Sequence, residues 1–398
     1  MVYPLLAQTA CEIGNTQDIL DCALNKHPDI VNAANEAARD GSLIRVASQR
    51  PNPELDSEII GGKNADDTLL NSQTFLLHTL ELGGKRKARI QQANVLIDRS
   101  SLNLREKRQE GALQTVLTLY RLREIRAELD CANEAYNTFD KILSSFKQRP
   151  RLTPEQDVSK ISFELVREEY RLKRTTLMQE QANLEYLLEL ITEIPYLKMA
   201  NHLPPFKNKW PEAVENRSND ASSNTTIAKA KAEQKLAESN IRLARSKAWP
   251  DLKIGPGFAT ESLTSKTDYS GGLGFSVPLP LLNLNRGEKA FANADKVWAD
   301  TNLEISIRKT GLGRAIQLQR YRQAVKALQQ SRPDIYHVTQ HRDIESFFEK
   351  GLVPSTLVIE AHRQMYEFTK TRNEQELTGI DALWRLYIID GTVFNEKI

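Results

Sequence analysis

The chain is written twice. Ile44-Arg45-Val46-Ala47, followed by Pro53-Glu54-Leu55, returns as Ile241-Arg242-Leu243-Ala244, followed by Pro250-Asp251-Leu252, a shift of 197 residues. Phe146, Leu152-Thr153-Pro154 and Val158 return as Phe347, Leu352-Val353-Pro354 and Val358, shifted by 200 or 201. Two copies that stay in phase over such a stretch predict one architecture built from equivalent halves. That favours a wall, a ring or a channel over a single catalytic pocket.

Each half reads as helix, two-stranded hairpin, very long helix, tight turn and return helix. After an N-terminal segment (1–15), the first repeat spans 16–192. Its opening helix is expected over 16–49 and is stopped by Pro51-Asn52-Pro53. A β-hairpin follows at 53–82, where Leu55, Ser57 and Ile59 alternate with Glu54, Asp56 and Glu58. From Lys85 to Gln148 no proline intervenes, so a helix there would reach on the order of 95 Å at 1.5 Å per residue. Ala132, Ala135, Phe139, Ile142 and Phe146 carry the 3-4 spacing of side-by-side helices. The turn at 149–154 leads into a return helix marked by Val158, Ile161, Leu165 and Leu172. An irregular, proline-bearing insert (193–226) separates the repeats. The second repeat (227–391) has its hairpin at 250–280, a long helix at 286–350 with a break at Pro333, and a turn at 350–354. A short tail (392–398) ends the chain.

Composition narrows the function. The 54 basic and 52 acidic residues nearly cancel, to a net +2, which gives no reason to expect nucleic acid. No run of about 18 apolar residues is present, so a membrane crossing would have to be a closed β-barrel. Four strands are too few, since membrane barrels need about 8. An open sheet would leave two edges unpaired, so other copies must close it, giving 8 strands in a dimer or 12 in a trimer. No Walker loop, GxSxG or HExxH is present, so no enzyme and no cofactor are expected. Three cysteines without paired spacing argue against a disulfide framework and a structural zinc site. His337 and His341, four apart on one helical face, are a weak metal pair without a third ligand nearby. A soluble coiled-coil scaffold and a periplasmic adaptor are the competing classes. A scaffold has no use for strand pairs inserted at matched positions, and the β-rich segments of an adaptor are absent.

The segments Glu81-Leu82-Gly83-Gly84-Lys85-Arg86-Lys87-Ala88-Arg89 and Val277-Pro278-Leu279-Pro280-Leu281-Leu282-Asn283-Leu284-Asn285-Arg286-Gly287 carry a specific resemblance. With them the chain resembles the TolC-like outer-membrane factor family. Within it, the chain is similar to the heavy-metal branch that serves cobalt-zinc-cadmium or copper-silver exporters. The resemblance implies a mixed fold, a long α-helical barrel continuous with a 12-stranded trimeric β-barrel, four strands per chain. It implies a homotrimer in the Gram-negative outer membrane extending into the periplasm. There it would be the passive exit duct of a tripartite pump, partnered by a periplasmic adaptor and, indirectly, an inner-membrane RND-type pump. Metal, drug and type I protein-secretion cargoes stay open.

Transferred by position, Arg151, Leu152, Thr153 and Pro154, with Gly351, Leu352, Val353 and Pro354, are the adaptor-docking tips. Glu360, and more weakly Asp157, are placed at the pore gate, where copies would form a carboxylate ring. Lys85, Arg86 and Arg89 fall where basic side chains meet outer-membrane lipid. Cys11 is a candidate for lipidation.

Overall fold

A computed structural model of the chain describes residues 11–63, 68–212, 224–264, 266–331 and 338–398, with 338–342 as backbone. Its contacts divide into two units. Unit 1 comprises Met1–Asn32, Arg105–Asn224 and Thr310–Ile398; unit 2 comprises Ala33–Leu104 and Thr225–Lys309.

The expected opening helix is three helices: α1 (Thr16–Lys26), α2 (Pro28–Asp40) and α3 (Leu43–Ser48). Asn15 starts α1 with a reciprocal capping box to Asp18. Pro28 has no N–H to offer the preceding turn, so α1 stops before it and α2 opens with the proline. Next come β1 (Glu54–Lys63), β2 (Thr68–Leu80), the 63-residue α4 (Lys85–Lys147), α5 (Pro154–Thr192) and the short α6 (Tyr196–Met199). They are followed by α7 (Thr225–Ser246), β3 (Leu252–Leu263), β4 (Lys266–Ser276), α8 (Arg286–Gln330), α9 (Val338–Glu349) and α10 (Ser355–Asp390). The last strand ends at Ser276 and not at 280, because Pro278 and Pro280 cannot donate to a ladder. No described helix is long and apolar enough to cross a membrane.

Unit 2 holds one antiparallel sheet in the order β1-β2-β3-β4. Its helices follow the same order. Arg86 and Arg89 at the start of α4 donate to the carbonyls of Ser48 and Gln49 at the end of α3 (2.8 and 3.1 Å). α4 meets α7 through Gln92–Asn240 (2.8 Å) and Arg99–Glu233 (2.9 Å). α7 meets α8 through Gln234–Asp300 (2.8 Å) and Lys296–Glu238 (3.7 Å). Strands and helices thus form two matching rows, each with an open edge at α3–β1 and another at β4–α8.

Unit 1 is cored by aromatic contacts among α4, α5, α9 and α10. Phe139 lies 5.8 Å from Phe163, 5.7 Å from Tyr170 and 5.0 Å from His362, and Phe163 lies 5.5 Å from Phe348. Ala132, Ala135, Phe139, Ile142 and Phe146 are all buried there. On α5, however, the residues that fill this core are Phe163, Val166, Tyr170 and Leu177. Val158, Ile161, Leu165 and Leu172, the stripe visible in the sequence, are exposed, Leu165 by 68%. At 3.6 residues per turn the two stripes lie on nearly opposite sides of α5. The helix therefore has one face filled by its own chain and a second apolar face that is vacant.

Candidate channel wall, tips and gate

Register fixes which side chains share a face of the sheet. Leu55↔Leu76, Thr74↔Phe258, Ile254↔Phe275, Pro256↔Leu273 and Thr260↔Tyr269 are opposed pairs. One face therefore carries Leu55, Ile59, Leu70, Leu76, Ile254, Phe258, Tyr269, Leu273 and Phe275, all exposed. The other is mostly polar, with Glu54, Asp56, Glu58, Asn71, Gln73, Lys253, Glu261 and Asp268. Lys253 there reaches Glu54 at 2.6 Å. Phe75 is the large aromatic on this polar side. Its ring lies across β3 and β4 because Gly257 and Gly274 leave room: a Cβ at either would stand 2.1 or 2.7 Å from it. Strands of 10 to 13 residues, apolar on one face and wet on the other, match a barrel wall between lipid and a water-filled lumen.

Both turns singled out in the sequence lie in unit 1 and share its aromatic core. Between α4 and α5, Thr153 caps α5 with a capping box to Gln156 and Pro154 takes the first helical position. Arg151 and Pro154 are exposed, while Leu152 packs partly into the core. The turn before α10 is built differently. Gly351 adopts φ +71°, its N–H and that of Leu352 bond back to Phe348 and Phe347 (2.8 and 2.9 Å), and Leu352 stands exposed. Val353 is half-buried and Pro354 exposed. Ser159, in the second turn of α5, and Ser355, the first residue of α10, are 3.2 Å apart.

Glu360 is exposed on α10 and accepts a hydrogen bond from Gln364 (2.9 Å). Asp157 is exposed in the first turn of α5. No contact joins these two among the described residues. At the strand–helix junction the basic residues are engaged within the chain: Lys85 with Asp251 (2.7 Å), Arg89 with Glu81, and Arg86 with the Ser48 carbonyl. Hydrogen bonding to Glu81 raises the Arg89 pKa further. These partners make the three residues clamps between elements.

The expectation against a disulfide is corrected: Cys11 is bonded to Cys22, with Cα atoms 5.8 Å apart. The sulfur that acylation would use is the one in this bond. The sequence spacing could not reveal the pair, because α1 has to form before Cys22 faces the segment leading into it. His337 and the side chain of His341 lie outside the described residues. No group of three or more metal-ligating side chains occurs among those described.

One polar cluster was missed. Arg121, Glu124 and Glu128 on α4 are joined by Asn373 and Glu376 of α10, Glu180 of α5 and the segment after α6. Glu124 and Glu128 are fully buried and Glu376 nearly so. Arg121 bridges Glu128 (2.8 Å) and Glu180 (2.7 Å), and Asn373 donates to Glu128 (3.0 Å). Arg123 sits 3.1 Å from Glu376 and 3.9 Å above the Phe206 ring, while the Lys207 N–H donates to Glu376 (2.9 Å). Burial pushes the Glu124 carboxyl up to about 8, against the opposing pull of Arg123 and Arg121. Burial also lowers the Lys207 ammonium. The spacing of 121, 124 and 128 on one helical face was legible, but such charges on a long helix ordinarily face water.

Comparison with solved structures identifies this arrangement. The open-state outer membrane channel MtrE of Neisseria gonorrhoeae superposes with a TM-score of 0.70 at 16% identity, over 95% of this chain and 89% of that one. The outer membrane channel CmeC of Campylobacter jejuni gives 0.72 at 13%, over 96% and 86%. CusC, described through the conformational changes that accompany its folding and transmembrane channel formation, gives 0.70 at 15%, over 97% and 95%. The fold is that of outer-membrane channels. No family model matches the sequence, and no curated protein does.

Proposed function

We propose that this chain is one subunit of a TolC-like outer-membrane channel, the passive exit duct of a tripartite efflux pump. The observation that carries the reading is the pair of matching open rows in unit 2. Four strands and four helix ends run in the same order, and both rows stop at the same two edges. A sheet with an apolar outer face cannot end so in hydrocarbon, where each unsatisfied backbone group costs several kcal/mol. Closure by two further copies gives a 12-stranded barrel. The vacant stripe on α5 and exposed Phe291, Trp298 and Ile305 on α8, each seven residues apart, are the faces that copies would cover.

On this reading the sheet crosses the Gram-negative outer membrane and the helices continue into the periplasm. The two tips meet the hairpins of a periplasmic adaptor, with Leu352 the most prominent apolar contact and Arg151 beside it. Glu360 from each copy rings the pore near its narrow end. Cargo is assigned to heavy-metal cations on the strength of the 81–89 and 277–287 segments. Drug efflux and protein secretion are the alternatives that neighbouring genes or resistance phenotypes would select. Cys11 carries either the disulfide or an acyl chain, since the same sulfur serves both.

The test is direct. The purified protein is expected in the outer-membrane fraction, to migrate in a heat-modifiable way in detergent, to have the mass of three chains by light scattering, and to conduct in planar bilayers. A water-soluble monomer without conductance overturns the reading.

A further inference from the structure

Unit 2 contains one strand–helix joint that is complete and one that is half built. At the complete joint, β2 runs into α4 beside the place where α7 runs into β3. Gly83, at φ +69°, lies so close that an added Cβ would stand 2.7 Å from the Trp249 Cβ. The Leu82 N–H reaches Asp251 at 3.3 Å, and Lys85 reaches the same carboxylate at 2.7 Å. On its other flank α7 meets the start of α8, where Asn285 donates to the Ala244 carbonyl (2.9 Å) and Lys247 pairs with Glu288. With both flanks occupied, Ala244 and Ser246 are buried.

α3 stands before β1 as α7 stands before β3, and Ile44-Arg45-Val46-Ala47 corresponds to Ile241-Arg242-Leu243-Ala244. Only α4 flanks α3, so Ile44 is exposed and Val46 is exposed by 60%. At the opposite edge, β4 runs into α8 through residues 277–285, a longer connection than 81–84 at the complete joint. Leu279, Leu281, Leu282 and Leu284 are all exposed along it, Leu282 wholly. In an antiparallel pair, the residues after one strand lie beside the residues before its partner, as 81–85 lies beside 246–251. When β4 of one copy pairs with β1 of the next, 277–285 must therefore fall beside 43–53 of that next copy.

We propose that this leucine-rich arm clasps the vacant flank of α3 in the neighbouring copy, with Leu279, Leu281 and Leu282 covering its Ile44 and Val46. The inference rests on barrel closure by copies and adds the surface that locks them. A second copy is favoured over lipid because edge pairing itself carries the arm to α3, and because the 810 Å³ cleft that the arm borders sets Glu54, Lys85, Lys247, Asp251 and Lys253 beside Trp249, Pro250 and Pro278. Covering those charged side chains with acyl chains would cost their hydration.

Cysteine pairs in a Cys131→Ala background test it in the assembled protein. The control pair is Leu55→Cys with Phe275→Cys, which lie on the same face of the sheet at its two open edges. The test pair is Val46→Cys with Leu282→Cys. Both are expected to form covalent multimers on oxidation, because directly apposed positions bring Cβ atoms within disulfide reach. Separately, Leu282→Ser should weaken assembly about tenfold. An edge pair that links while the arm pair does not overturns the clasp and leaves the channel reading intact. If neither links, both fall. A fluorophore on Leu282→Cys that is quenched by spin-labelled lipid in the intact multimer also overturns the clasp, in favour of a membrane contact.

Discussion

Glu124 shows how one residue ties burial to pH. Its carboxyl, ordinarily near 4.5, titrates at about 8 in the fold because desolvation outweighs the nearby arginines. The folded chain thus holds this proton more tightly than the unfolded chain does. Its contribution to stability is fully present below about 4.5 and is lost as the pH rises to about 8. Glu124→Gln should remove that slope and raise the unfolding midpoint of the multimer at pH 8.5 but not at pH 4.5. An equal shift at both pH values would mean that Glu124 is ionised throughout. Gly83 is the other position where one atom decides. Gly83→Ala is expected to destabilise by about 1–2 kcal/mol for the left-handed backbone alone, with further loss from the Trp249 contact. Thermal unfolding measures it, and an unchanged midpoint would show that the junction has slack.

The element that says most about assembly is α5. Its seam at 158, 161, 165 and 172 was legible in the sequence, yet its own chain packs the other stripe. Substituting Leu165 and Leu172 by Lys should therefore leave the helical content of the chain unchanged and weaken association, each buried leucine being worth roughly 1.5–3 kcal/mol. Light scattering against circular dichroism separates the outcomes, and loss of helix together with mass would place the stripe inside the subunit. The opening helix was misjudged for a related reason. The stretch 16–49 was expected to be one helix, but the missing N–H at Pro28 divides it and a second break falls at Gly41-Ser42. The strand pairs were more readable, because alternation of Leu55 and Ile59 with Glu54 and Glu58 states directly which face is wet.

For the molecule as a whole, the open rows leave a single chain with two unpaired sheet edges, and on the proposed reading the function belongs to an assembly that closes them. Glu360 is exposed on one chain, and on the proposed reading it would become a ring only in three copies. Glu360→Ala should raise single-channel conductance and abolish block by divalent cations in planar bilayers. Unchanged conductance and block would remove Glu360 from the gate and leave the wall unaffected.

The duplication, the placement of strands against long helices and the tip turns were set by local chemistry: proline and glycine punctuation, period-two alternation and the 3-4 seam. Those signals act over a few residues and survive in sequence alone. Tertiary structure decided the Cys11–Cys22 bond, the burial of Glu124 and Glu128, the capture of Lys85 and Arg89 by in-chain carboxylates, and which α5 stripe stays vacant. Each depends on which distant helix arrives as neighbour. A charge or an apolar stripe looks the same in sequence whether its own chain, a second copy or water will meet it.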